Sequence, residues 1–241
     1  MILRVIKLFA MCSLLSIVTS CVSNDVVDYQ ALAPSISQHP GGIVQVYAAR
    51  TWGAKEALAV HTWISTKKAG EDHYTSYEII GWRLRHNSSA LVVRKTKPDR
   101  DWWGHAPQLL LDYRKDNANE VIDKIRQAVT DYPFKDTYHA WPGPNSNTFT
   151  AYIGKEVSEL RMDLPSTAIG KDYRGITYIV GMSPSGTGIQ ASFFGLLSLT
   201  LGYEEGFELN ILGLNVEIDL FDLAIELPGI GRIGPDPVEQ E

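Results

Sequence analysis

Three residues in this sequence could together move an acyl group, though they lie far apart along the chain. Ser146 sits in the stretch WPGPNSNTF, residues 141–149; His61 sits in AVHTWI, residues 59–64; Glu78 sits in YEIIGW, residues 77–82. A serine hydroxyl is a poor nucleophile until a base takes its proton. A helix N-terminus favours an anion by only about 0.3–1 kcal/mol, less than one pKa unit, so its field alone does not activate Ser146. In the catalytic reading His61 is the general base and Glu78 orients its imidazole. N–H groups at the helix start then hold the oxyanion. Asn145, Asn147, Trp63 and Trp141 would line the substrate site.

Each of these residues also has a plain structural role. Proline fixes φ and glycine allows the sharp bend of Pro142-Gly143-Pro144. Asn and Ser are favoured helix caps because their side chains take orphan N–H groups. A mid-strand histidine is ordinarily hydrogen-bonded and half-buried, and Glu78 reads equally well as a partly buried structural carboxylate.

The elements that must position these groups are legible from composition and period. Residues 43–49, 59–66, 74–84 and 91–96 are rich in Val, Ile, Tyr, Trp and Thr with rough alternation, the pattern of strands. A polar turn lies around Gly70, an irregular loop at 98–107 holds Trp102 and Trp103, and 108–113 adds a short strand. Val121, Ile122, Ile125, Ala128 and Val129 recur at helical spacing over 116–130, where Asn117 and Glu120 predict a capping box. Phe149, Tyr152, Ile153, Val157 and Leu160 predict a second helix with Pro165 beyond its end. From Gly175 the pattern is β again, with runs at 189–201, 207–212, 216–220 and 223–227. Residues 216–220 alternate cleanly, which predicts one wet face. Helices clustered between two groups of strands predict an α+β fold: an antiparallel sheet with two main helices, followed by C-terminal strands.

The N-terminus bears on location. Met1–Lys7 is basic, Leu8–Val18 is apolar and of signal-peptide length, and Val18-Thr19-Ser20 places small residues before Cys21. This resembles the bacterial lipobox, which implies lipidation of Cys21. With Val22 and Ser23 rather than Asp after the cysteine, delivery to the outer membrane, facing the periplasm, is the expectation. The expected organisation is a signal peptide over 1–20, a tether over 21–42, a single domain over 43–230 and a flexible tail over 231–241. Cys12 leaves with the leader and Cys21 is acylated. No thiol then remains for a disulfide, a zinc site or a nucleophile. The histidines show no metal-ligand spacing, and no cofactor is expected.

The net charge is −6, and loss of Arg4 and Lys7 with the leader leaves 20 basic against 28 acidic residues. A nucleic-acid partner needs a basic face to displace counterions, so that class is excluded. Electrostatic docking on anionic lipid is disfavoured for the same reason, leaving the lipid on Cys21 as the membrane contact.

Several blocks carry a resemblance. His61-Thr62-Trp63, residues 77–83, the stretch 141–149, residues 168–173 and the Gly-rich 227–234 are similar to the bacterial domain of unknown function 3750 family. That resemblance implies no activity. Asn145-Ser146-Asn147-Thr148-Phe149 after a strand histidine also resembles circularly permuted papain-like enzymes of the lecithin retinol acyltransferase and PPPDE groups, with serine in place of cysteine. That likeness implies His61 as base, Ser146 as nucleophile and a permuted papain-like fold. Serine is not partly ionised near pH 7 as cysteine is, so the change puts catalysis in doubt. Weaker motifs fail on context. Ser65-x-x-Lys68 ends a strand rather than opening a helix, and Gly181–Thr187 lacks the lysine of a phosphate loop. Two functions follow: a binding or scaffold lipoprotein with an unidentified small-molecule or cell-wall ligand, or a serine-dependent acyl or amide hydrolase or transferase.

Overall fold

A computed structural model describes residues 31–53, 58–175, 178–219 and 223–235. The leader, Cys21 and most of the tether lie outside these residues, and Leu32–Glu241 forms one compact unit. Two antiparallel sheets organise it. The first contains β1 (Ile43–Arg50), β2 (Val60–Lys67), β3 (Thr75–Ile79), β4 (Leu91–Lys95) and β5 (Gln108–Tyr113), in the order β4-β3-β2-β1-β5. Two helices follow, α1 (Ala118–Asp131) and α2 (Ser146–Glu156). The chain then builds the second sheet, from β6 (Val180–Met182), β7 (Gly188–Phe193), β8 (Leu197–Gly202) and β9 (Gly206–Ile211) to β10 (Leu214–Asp219), β11 (Ala224–Leu227) and β12 (Gly231–Ile233). Its strands pair strictly in sequence order, a pure meander. The architecture is α+β, as the element pattern predicts.

β1 lies inside the first sheet, between β2 and β5, and is covered on both faces, which is why Ile43–Ala49 reads as a nearly unbroken apolar run. On one face Val44, Val46, Ile64 and Tyr77 pack against Ile122 and Ile125 of α1 and Phe149 and Ile153 of α2. On the other face Tyr47, Trp63 and Trp102 form a smaller aromatic cluster. Burial of each large side chain contributes roughly 1.5–3 kcal/mol, so the helix-side cluster dominates the stability of this half.

Local departures from the sequence reading have identifiable causes. The strand over 74–84 stops at Ile79, and Gly81–His86 turns into a 3-10 helix. A Cβ at Gly81 would meet the Tyr138 ring at 2.3 Å, so the chain must turn where only glycine fits. Asn117 precedes α1 but makes no side-chain cap, because its Oδ1 accepts from the Tyr113 hydroxyl at 2.6 Å. The run 189–201 is two strands, not one. Phe194 and Gly195, at φ 55° and 67°, make the tight turn between them. The end of the expected tether is docked: Asp99 Oδ2 accepts from the Leu32 N–H at 2.9 Å, and Ala33 packs on Ile43 and Tyr74. Residues 231–233 of the expected tail pair with β11 as a strand.

The largest departure is in the second sheet. Register aligns one inward row across adjacent strands: Gln190, Thr200, Glu208, Glu217, Glu226 and Arg232. The neighbouring row, one residue along, is Ile189, Leu201, Phe207, Ile218, Ile225 and Ile233. Gln190, Thr200, Glu208 and Glu217 are buried, whereas every member of the second row is exposed. The alternation is therefore real over 216–219, residue 220 lying outside the described residues, but water meets its apolar side. Lys171 and Asp172 explain the choice. The Asp172 carboxylate accepts from Gln190 Nε2 at 2.7 Å and Asn210 Nδ2 at 2.6 Å, and Lys171 pairs with Glu208 at 2.5 Å. These partners engage the polar rows from inside, so the polar face of the meander is the one that docks, although Asn215 and Glu217 keep buried polar atoms without a hydrogen bond.

Candidate functional site

The stretch 141–149 is a joint built by its own side chains. Both of its X–Pro bonds are cis, and Gly143 holds φ 134°, where a Cβ would meet Thr148 Oγ1 and Tyr173 Cβ at 2.9 Å. Asn145 is the N-cap of α2. Its Oδ1 accepts from the N–H groups of Asn147 at 2.9 Å and Thr148 at 3.1 Å, and Thr148 Oγ1 accepts back from the Asn145 N–H at 3.1 Å. Asn145 Nδ2 donates to the carbonyls of Ala140 and Ile169. Asn147 Nδ2 donates to Val60 O at 3.0 Å and Ile169 O at 2.9 Å, and its Oδ1 accepts from Thr62 Oγ1 at 3.0 Å. Both asparagines are buried and spend their amides inside the protein. Trp141 donates from Nε1 to Leu212 O at 2.8 Å and lies over Gly213, so it reaches the turn between β9 and β10. The block thus ties α2 to β2, to the segment 169–170 and to the meander.

The histidine belongs to a different constellation. His61 Nε2 bonds Glu78 Oε2 at 3.0 Å, and the ring stacks on Trp102 at 3.7 Å between centroids, 11° from parallel. Glu78 is fully buried, and its oxygens also accept from Arg100 at 2.6 and 2.7 Å and from Arg94 at 2.7 Å. Arg100 lies 4.7 Å over the Trp63 ring, whose indole N–H donates to Pro98 O. Burial opposes the Glu78 charge, but the hydrogen bond from His61 and the two guanidinium groups outweigh it and hold its carboxyl below the usual range. Burial pushes the His61 pKa down, more than Glu78 raises it, so the ring is held neutral. Sequence reasoning does not single out Arg94 and Arg100 as partners of Glu78, nor Trp102 as the ring stacked on His61. They are scattered over strand and loop, with no spacing that marks them.

Strand alternation decides how these two constellations relate. Thr62 points from β2 to α2, where its hydroxyl lies 3.0 Å from Asn147 Oδ1, 2.8 Å from Thr150 Oγ1 and 3.5 Å from Ser146 O. His61 and Trp63, one residue to either side, point to the opposite face of the sheet. The structure brings His61 and Glu78 together as expected, but it does not bring Ser146 to them: the sheet stands between. Of the residues expected to line a substrate site, Asn145, Asn147 and Trp63 are buried, and only Trp141 is open to solvent.

The concave surface lies elsewhere. A cleft of about 1170 Å³ opens where β1 and β5 approach the end of the meander, and neither Ser146 nor His61 lines it. Its polar wall includes Arg50, Arg161, Asp163, Asp219, Glu226 and Arg232. Arg161 pairs with Glu204, and Arg232 with Asp219 at 3.2 Å. Burial pushes the Asp163 carboxyl up to about 7 despite Lys171 nearby. These residues come from five separate segments, so no short motif announces them. The Ser183, Ser185 and Thr187 hydroxyls of the phosphate-loop-like turn are chained to one another, and Ser185 faces the Glu205 carboxylate, the wrong charge for an anion site. Among the described residues no cluster of His, Cys, Asp and Glu could hold a metal, and no helix is long and apolar enough to cross a membrane.

A family model described as a protein of unknown function, DUF3750, matches residues 41–173. The match spans the first sheet, both helices and the 141–149 joint, and ends just before β6, so the Gly-rich 227–234 lies outside it. No curated protein and no solved structure matches the chain.

Proposed function

We propose that this chain, which belongs to the DUF3750 family of proteins of unknown function, is a cell-envelope lipoprotein that binds its ligand without turning it over. Acyl chains on Cys21 hold it to the outer membrane, with the domain facing the periplasm. A single acyl chain gives only marginal anchoring, so a stable attachment needs two or more. The observation that carries the non-catalytic reading is the sheet between Ser146 and His61. A serine without a base in contact stays a weak nucleophile, and His61, whose Nε2–H donates to the Glu78 carboxylate, points to the opposite face of the sheet from Ser146. The cleft of about 1170 Å³ offers both carboxylates and guanidinium groups, which suits a ligand carrying both charges, such as a wall peptide.

The test is covalent. The full chain is treated with a fluorophosphonate probe for activated serines, beside Ser146→Ala and His61→Gln. The expected result is no labelling of Ser146. Labelling that disappears in both variants would overturn the binding reading. For the anchor, a clickable fatty acid fed to cells should label the wild-type chain and not Cys21→Ala. Equal labelling of the two would remove the lipoprotein assignment.

A further inference from the structure

We infer that the outward face of the second sheet is the contact between two copies of this chain, packed sheet on sheet. The face is continuous in register: Leu199 on β8, Leu209 on β9 and Val216 on β10 align at its centre, flanked on either side by further apolar rows. Leu197, Leu201, Ile211 and Ile218 stand exposed around them. With strands ~4.8 Å apart and a rise of ~3.4 Å per residue, the paired strands cover roughly 550 Å² in plan. A face studded with side chains has more accessible area than its plan, which brings it into the range of the ~800 Å² that each partner of a stable complex buries. An isolated monomer rarely leaves an apolar patch beyond about 300–600 Å².

A second copy fits this face better than a bilayer does. The strands run three to six residues, short of the ~9–11 that cross the hydrocarbon. β6 and β12 end the sheet with open edges, which hydrocarbon does not tolerate and the rim of a sandwich does. The rows are aliphatic with Phe193 and Phe207, and contain no Trp, Lys or Arg of the kind that anchors a protein at headgroups. The net charge of −6 repels anionic lipid. Two apolar faces related by a two-fold axis are self-complementary and would pack ~10 Å apart. This inference is independent of what the cleft binds.

The test uses the full chain in cells, with two differently tagged copies and a photo-reactive benzoylphenylalanine in place of Leu199. Irradiation should give a species at twice the mass of the tagged mature chain that carries both tags. Val216→Glu, on the same face, should abolish it, whereas Val93→Glu, exposed on β4, should not. Crosslinks to lipid alone, or no crosslink to a second copy, would overturn the inference. So would a folded Val216→Glu chain that still crosslinks as well as wild type. If Val216→Glu fails to fold, the wild-type crosslink alone decides.

Discussion

Glu78→Gln is the most informative single change in the first sheet. It keeps the volume and removes one negative charge from a fully buried position. Arg100 then loses the acceptor of two hydrogen bonds, with a side chain only 15% exposed. Breaking a buried pair from one side costs about 3–5 kcal/mol, because the remaining charge stays desolvated. Arg94 is 42% exposed and falls back on water, so it adds at most about 1 kcal/mol. The glutamine oxygen still accepts from one donor, and Trp63 still faces the guanidinium. The expected loss at pH 7 is therefore about 3 kcal/mol, or roughly 6–12 °C in Tm for a domain of this size. Thermal unfolding followed by near-ultraviolet circular dichroism would read it through the Trp63–Trp102 cluster. The sign with pH is fixed. The Glu78 carboxyl titrates below its unfolded value, so its stabilisation is present above about pH 4.5 and is lost as pH falls through the folded value. The gap between wild type and variant should narrow on acidification. A loss under about 1 kcal/mol at pH 7, or a gap that widens in acid, would refute the view of Glu78 as the charged hub.

Other predictions are compact. Asn145→Ala should cost about 2–4 kcal/mol, because it removes the cap and two buried donors, while Ser146→Ala should cost under about 0.5 kcal/mol; urea unfolding of both tests the ranking. Glu217 faces Glu208, Glu226, Asp163 and Lys171, and burial with its acidic neighbours pushes its carboxyl up to about 10. Its folded value is raised, so stability should fall as pH rises from about 4.5 towards 10, and Glu217→Gln should raise Tm at pH 9 while leaving it nearly unchanged at pH 4.5. His61 titrates below its usual value, so wild type should lose stability as pH falls below about 6.5 and through the lowered folded value, and His61→Gln should show a flatter Tm profile over that range. Gly143→Ala should cost at least about 2 kcal/mol, seen as a lower urea midpoint, since φ 134° is closed to alanine and Thr148 and Tyr173 block its Cβ.

Much of the first sheet was legible because its strands are written in β-branched and aromatic residues, and α1 because its apolar spacing is strict. The joint at 141–149 was legible as turn plus cap, though the cap is Asn145 and Ser146 opens the helix behind it. Pairing of His61 with Glu78 could be guessed from adjacent strands. Its separation from Ser146 could not, because periodicity assigns residues to two faces without saying which face a distant helix covers. The same ambiguity left open which face of 216–219 is wet. Alternation shows that the faces differ, but only Lys171 and Asp172, brought in from outside the meander, decide which one is buried. The cleft was invisible because its polar wall is assembled from five segments, each ordinary alone.

The meander has a consequence for the order in which the chain matures. Each of its strands pairs with the one made just before it, so its contacts are local and need no long loop closure. Its polar rows nonetheless need Lys171 and Asp172, which are made earlier and sit at the end of the helical half. A chain emerging from its N-terminus therefore presents the docking residues before any strand of the second sheet exists. Lys171 and Asp172 thus precede in the chain every strand they dock, and β12, the last strand, closes the row.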